Sequence, residues 1–579
     1  MKNVKSQISF LIIILFSLKI SAQYQPKNLS KQDLKKASDW VDKTYSSLSQ
    51  DQKLGQLFII ALYTNKGEDF INNVRNIVVN EQIGGLILMQ DDAAREINLV
   101  NEFQTKSKVP LIIGMDAEWG VFQRIATAHK FPWAMTLGAI QDKNLITAMS
   151  AKISEDCKRM GINWDFAPVV DVNTNPDNPI IGNRSFGSEV SNVVSSGLAY
   201  SNGLQNNNIL AAIKHFPGHG DTNTDSHLDL PVVSHNLKRL TEIELAPFKA
   251  LMDKGIGGVM VAHLYVPALE SEKGVPASVS KNIVTGILKD KYGYKGLIIT
   301  DALNMGAVAK RYKPGELDAL AFKAGNDIML FSDGVKEGKR LIQLAIDNKE
   351  ISQNRVEESV KKILLTKYFL GLTQYQPRNP ENINEDLNND SHKILVQNLY
   401  SNALTLLKDD KKLLPLDCKK TYYYVPLEEA PYQNFLDQLN LNTTVIVKKA
   451  LEISSIPANS TVIVGFHKDN STAYKPYKIS EESKKVLADL SKNQNVILNV
   501  FGSAYALKDI DISKIPTVLV SYENNDDSMT ATAMALNGAT KISGKLPVLV
   551  NENLKAGKGI DLNASSKINL KDNTKTVIE

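Results

Sequence analysis

The chain has 579 residues, 43% of them apolar and 22% charged, an ordinary globular composition. It is too long for one hydrophobic core, so two domains are expected. The formal charge of +4 gives no electrostatic basis for binding nucleic acid. Two cysteines, Cys157 and Cys418, exclude a disulfide framework and a thiolate metal centre; both are expected to be buried free thiols.

Residues 1–22 read as a cleaved export signal. Lys2 and Lys5 precede the apolar run ISFLIIILFSL, and ISA supplies the small residues before Gln23. The run is too short to span a bilayer comfortably, so no stable membrane insertion is expected after cleavage. No cysteine lies near the cleavage point, which argues against a lipoprotein. Loss of Lys2, Lys5 and Lys19 brings the formal charge from +4 to +1. The expected destination is the periplasm, with full secretion as the alternative.

A polar helical stretch follows, and then eight apolar runs: 57–62, 84–89, 111–116, 162–172, 209–216, 257–263, 296–301 and 326–332. They lack period-two alternation, as strands buried on both faces do. Segments such as 144–160 and 236–254 have the length of helices between them. Eight strand–helix units predict an α/β fold, a (β/α)8 TIM-type barrel over 23–371, with a doubly wound open sheet as the alternative. The Asn- and Pro-rich segment 372–390 reads as a linker. Beyond it, 391–579 opens with a helix through SHKILVQNLYSNALTLL. It continues with runs at 421–425, 444–447, 461–466, 496–502 and 517–522, predicting a smaller α/β sandwich.

In such barrels chemistry sits on the loops that follow the strands. Polar residues at those ends are Asp116, Asp165, Asp171, Arg184, Lys214, His215, His263 and Asp301. The segment KHFPGHGDTNTDSHLDLP, 214–231, holds three of the eight histidines. His215 and His219 are four apart, but Pro217, Gly218 and Gly220 break any helix that would present both to a metal. A loop site from His215, His219 and Asp221 has no such scaffold, and no metal or cofactor is expected. Asp225 and His227, two apart, point the same way on an extended loop. A carboxylate there fixes the imidazole tautomer and prepares a proton donor.

This loop resembles the signature of the glycoside hydrolase family 3 β-N-acetylglucosaminidases. The resemblance extends through NWDFAPVVDVNTNPDNPIIGNRSFGSE, MVAHLYVPAL and LIITDALNMGAV, and reaches the second domain through GKLPVLV. It implies a retaining glycosidase acting on a small carbohydrate, terminal β-linked GlcNAc of the muropeptide type. Asp301 would be the nucleophile, and His227 with Asp225 the acid/base. Asp116, Arg184, Lys214 and His215 would contact the sugar, with Asp165, His263 and Met305 as further candidates. Gly218 and Gly220 would be hinges of a loop that swings in after the sugar binds.

One motif departs from the family: DAEWGVFQR stands where DxEGGRVQR is usual, placing Trp119 either as a sugar-stacking wall or as a buried aromatic. A β-glucosidase or β-xylosidase of the same fold is the first alternative; those enzymes usually take their acid from the second domain. A β-GlcNAc phosphorylase is another, and a non-catalytic sugar-binding protein is the reading from a different class.

Overall fold

The computed structural model describes residues 29–472 and 475–565. Residues 1–22, expected to be an export signal, lie outside them. Local signals set the first elements: Ser30 with Asp33, and Ser49 with Gln52, form reciprocal capping boxes that start the helices Lys31–Ser47 and Gln50–Gly55.

The eight strands of the first sheet are β1 (Phe58–Leu62), β2 (Gly85–Leu88), β3 (Ile112–Met115), β4 (Trp164–Asp165), β5 (Leu210–Phe216), β6 (Gly258–Val261), β7 (Leu297–Thr300) and β8 (Met329–Leu330). All neighbouring pairs are parallel, in the order β7-β6-β5-β4-β3-β2-β1-β8. A parallel bridge between Ile299 and Ile328 joins β7 to β8, so the sheet closes on itself as a TIM-type barrel. The open doubly wound alternative is thereby excluded. Of the run 162–172, only Trp164 and Asp165 form a strand; Pro168 has no N–H to give the ladder.

The segment 372–390 is laid along the barrel. Ile383 and Leu387 are buried, Asn101 exchanges hydrogen bonds with the Arg378 backbone, and Arg159 pairs with Asp386 at 2.7 Å.

The second sheet contains β9 (Thr405–Asp409), β10 (Thr421–Leu427), β11 (Thr444–Val447), β12 (Thr461–His467), β13 (Asn495–Phe501) and β14 (Thr517–Val520), in the order β11-β10-β12-β13-β14-β9. Only β9 is antiparallel to its neighbour. Here the sequence reading needs correction: the helix expected through 407 ends at Ala403, and Thr405–Asp409 is a strand. Its apolar TLL run continues the helical pattern, and long-range pairing with β14 decides against it. Cys157 is buried and Cys418 is exposed, so one of the two thiols expected in the core lies on the surface.

The two domains meet over polar contacts. Buried Glu523 of the second domain accepts hydrogen bonds from the Trp133 N–H at 2.8 Å and from Thr136 Oγ1 at 2.7 Å. Trp119 packs on Trp133, with ring centroids 4.2 Å apart. Trp119 itself is half-buried, its partner is a buried indole, and it is not among the described residues that line the cavity described next.

Candidate active site

The cavity lies over the C-terminal ends of the barrel strands and has a volume of about 320 Å³. That is the low end of the roughly 300–1,000 Å³ typical of small-ligand pockets. Its apolar lining includes Ile87, Met89, Met260, Leu330 and Phe331; its polar lining is concentrated on residues following β3, β4 and β5.

The polar wall is a buried network of alternating charge. Lys214 Nζ lies 2.8 Å from Asp116 Oδ1 and 2.8 Å from Glu118 Oε1. Arg124 donates to Asp116 Oδ2 at 2.5 Å, and Arg184 holds Glu118 with two bonds of 2.8 and 2.7 Å. Burial on its own would raise both carboxyls. The Lys214 ammonium and the Arg124 guanidinium outweigh it at Asp116, and Arg184 and Lys214 do so at Glu118, which falls to about 2. Lys214 is raised in turn: burial pulls it down, and the two carboxylates more than compensate. The wall thus stays fully ionised, and presents fixed donors and acceptors to a polyhydroxylated ligand.

Lys214 and His215 both line the cavity, although neighbours on an extended strand face opposite ways; the peptide between them is cis. His215 Nδ1 bonds Asp171 Oδ2 at 2.7 Å, which leaves its Nε2 facing the Arg184 side of the cavity, 3.3 Å from that guanidinium. Asp171 also accepts the backbone N–H groups of His215 and His219. Burial drives His219 down to about 4, so it is a neutral strut between Thr222 and Ser226.

Asp301 lines the cavity at the end of β7. Burial opposes its ionisation, but His215, His263, the Ala302 N–H and Lys214 together hold its carboxyl below the usual range. Among the described lining residues it is the only carboxylate besides Asp116 and Glu118, and its Oδ1 accepts the Ala302 N–H at 2.8 Å. His227 faces the same cavity with its side chain 56% exposed, and its Nδ1 donates to Asp225 Oδ1 at 2.8 Å. The same oxygen accepts the His227 backbone N–H, so the pair is formed by a side-chain-capped turn and not by an extended loop.

The structure therefore brings Asp116, Arg184, Lys214, His215, His227, Asp301 and Met305 to one cavity, with Asp225 behind His227. Asp165 and His263 do not line it. Asp165 is wholly buried, accepting from the Ala117 N–H at 3.0 Å and the Tyr200 hydroxyl at 3.3 Å, and so props up the segment that carries Asp116 and Glu118. His263 lies beside Asp301, bonded to Ser278 and to the Ala302 carbonyl. Glu118 and Arg124 join the site without having been named among its candidates, and Asp171, named only as a strand-end residue, and His219, weighed only as a metal ligand, join it as supports of His215 and the loop. The spacing of Asp116, Glu118 and Arg124 in DAEWGVFQR was the signal for two of them.

Gly218 and Gly220 are not free hinges. A Cβ on Gly218 would come within 2.8 Å of Glu244 Cβ, and one on Gly220 within 1.9 Å of the Val172 carbonyl oxygen. They let the loop pack closely. Asp221, His235 and Glu244 bring three metal-type ligand atoms together, but Arg239 donates to Glu244 at 3.0 Å and lies 3.8 Å from Asp221, already supplying a cation.

A closed (β/α)8 barrel with an ionised sugar-sized cavity, a carboxylate at the end of β7 and a carboxylate-supported imidazole has the make-up of a glycosidase. The chain matches the glycosyl hydrolase family 3 N-terminal domain over residues 49–366. It is 30% identical over 547 residues to the protein named beta-hexosaminidase A of Pseudoalteromonas piscicida, covering 82% of this chain and 90% of that one. Among solved structures it resembles a glycoside hydrolase family 3 beta-N-acetylglucosaminidase from Paenibacillus sp. at 28% identity and a TM-score of 0.73, covering 87% of this chain and 99% of the other. The fold is shared as well with a beta-glucoside phosphorylase, BglX, at 24% identity and a TM-score of 0.77, over 91% of this chain and 98% of that one. The chain belongs to glycosyl hydrolase family 3 and is a glycoside hydrolase.

Proposed function

We propose that the protein is a retaining β-N-acetylhexosaminidase that removes terminal β-linked GlcNAc, with fragments of peptidoglycan as its natural substrates. The observation that carries this reading is that, among the described residues, all those lining the cavity lie between Tyr63 and Phe331, in the barrel, so His227 is the proton donor at hand and no described residue of the second domain joins the lining. The β-glucosidase alternative, with its acid on the second domain, finds no support in that lining. The names of the relatives at about 30% identity point the same way.

In the first step an Asp301 oxygen attacks the anomeric carbon, the bond to the leaving oxygen breaks, and His227 Nε2–H delivers its proton to that oxygen. In the second, water attacks the same carbon, gives its proton to His227, and releases the Asp301 carboxylate. Asp225 keeps Nδ1 as the donor to itself, so Nε2 is the atom that exchanges protons. The small, charged cavity suits one terminal sugar. Export to the periplasm, read from residues 1–22, would place the enzyme beside cell-wall fragments.

Hydrolysis of 4-nitrophenyl β-GlcNAc against 4-nitrophenyl β-glucoside tests the reading. Preference for the first supports it; preference for the second would replace it. Sugar 1-phosphate formed on addition of inorganic phosphate would reassign the enzyme as a phosphorylase.

A further inference from the structure

The turn that carries His227 is seated on residues 306–311, the segment that follows the β7 nucleophile strand. Three consecutive carbonyl groups of the turn face it. The Ala307 N–H donates to the Ser226 carbonyl at 3.2 Å, and Lys310 Nζ donates to the Leu228 carbonyl at 2.8 Å. Between them, the His227 carbonyl lies over Gly306, where a Cβ would stand 2.4 Å from its oxygen and 3.2 Å from its carbon. One residue further on, Arg311 pairs with Asp229 at 3.2 Å. Lys310, Arg311 and Asp229 are exposed, so these polar contacts hold the turn weakly. The close backbone approach at Gly306 is the contact that sets its height.

We infer that Gly306 is a positioning residue: its lack of a side chain lets the acid/base turn settle on the nucleophile's own loop, fixing His227 relative to Asp301. The inference rests on the acid/base role proposed for His227. Gly306 has no positive φ, so alanine meets no backbone penalty there, and its nearest obstacles are the His227 carbonyl and, at 3.2 Å, the Leu228 carbonyl oxygen of the same turn. Relieving the contact from 2.4 Å to the 3.4 Å of ordinary van der Waals contact lifts the turn by about an ångström. A displacement of that size is enough to disable proton transfer while leaving the sugar-binding wall intact.

The test is Gly306→Ala, assayed for kcat/KM on two β-GlcNAc aryl glycosides. The phenyl glycoside needs protonation of its leaving oxygen, and the 2,4-dinitrophenyl glycoside does not. The expected result is a loss of about tenfold or more on the phenyl substrate, out of the roughly 10²–10⁴-fold that a positioned acid supplies, with the dinitrophenyl value within about twofold of the parent. Azide should raise turnover of the variant on the dinitrophenyl substrate, taking the place of base-activated water. Equal losses on both substrates, or none on either, would overturn the inference. If the parent enzyme cleaves neither glycoside, the proposed function fails instead. The inference then stands or falls on a crystal structure of Gly306→Ala, in which an unmoved His227 carbonyl would refute it.

Discussion

The Asp225 carboxylate meets the His227 imidazole at 2.8 Å through Nδ1, and the same oxygen accepts the His227 backbone N–H at 2.8 Å. One side chain thus caps the turn and sets the tautomer. Asp225→Ala should lower kcat/KM on phenyl β-GlcNAc by about tenfold to a hundredfold, and His227→Ala by more, within the roughly 10²–10⁴-fold range of general acid catalysis. Steady-state kinetics check this. Parental rates in both variants would remove the dyad from the mechanism.

Glu118 lies between Arg184 and Lys214, with its side chain 7% exposed. Glu118→Ala leaves two buried cations with one carboxylate, Asp116, to share among three basic groups. We expect a loss of about 3–5 kcal/mol of stability, as for other buried pairs that lose one partner, together with a kcat/KM on aryl β-GlcNAc too low to follow. Urea denaturation of the variant measures the first. A change under about 1 kcal/mol would mean that the wall is solvated and flexible.

Asp165 is held up at about 7 by burial, which outweighs the Ala117 N–H and Lys214. A carboxyl whose folded pKa is raised contributes stability below its unfolded pKa, near 3.8, and loses it as pH rises through about 7. Asp165→Asn removes that penalty. Relative to the parent, the variant should gain about 4 kcal/mol between pH 4 and pH 8. Parallel stability curves for the two proteins, measured by denaturant titration at each pH, would contradict the assignment.

Arg239 already supplies a cation to the Asp221, His235 and Glu244 cluster. Extended dialysis against EDTA should therefore leave hydrolysis of aryl β-GlcNAc unchanged, and added zinc should not raise it. Loss of activity restored by a divalent ion would put a metal into the mechanism.

Most of the barrel was legible because its strands are buried on both faces and read as unbroken apolar runs; Ile112–Met115 and Leu297–Thr300 are wholly buried. The strand Thr405–Asp409 was hidden because TLL continues a helical pattern, and only its distant partner Thr517–Val520 decides otherwise. At the site, chain position gave the residues on strand ends but not their direction. Asp165 and His263 end strands as Asp116 and Asp301 do, yet they face the protein and support the wall from behind. Gly306 was silent in the sequence, since its value lies in a carbonyl some eighty residues earlier in the chain.

The retaining reaction proposed for this enzyme requires Asp301 to form a covalent bond to the sugar. Incubation with 5-fluoro-GlcNAc β-fluoride, which slows release of the glycosyl group, followed by peptide mass spectrometry, tests it most directly. One added sugar is expected on the peptide containing Asp301, and none in Asp301→Ala. Labelling at Asp116 or Glu118 instead, or rapid turnover of the reagent by Asp301→Ala, would contradict it.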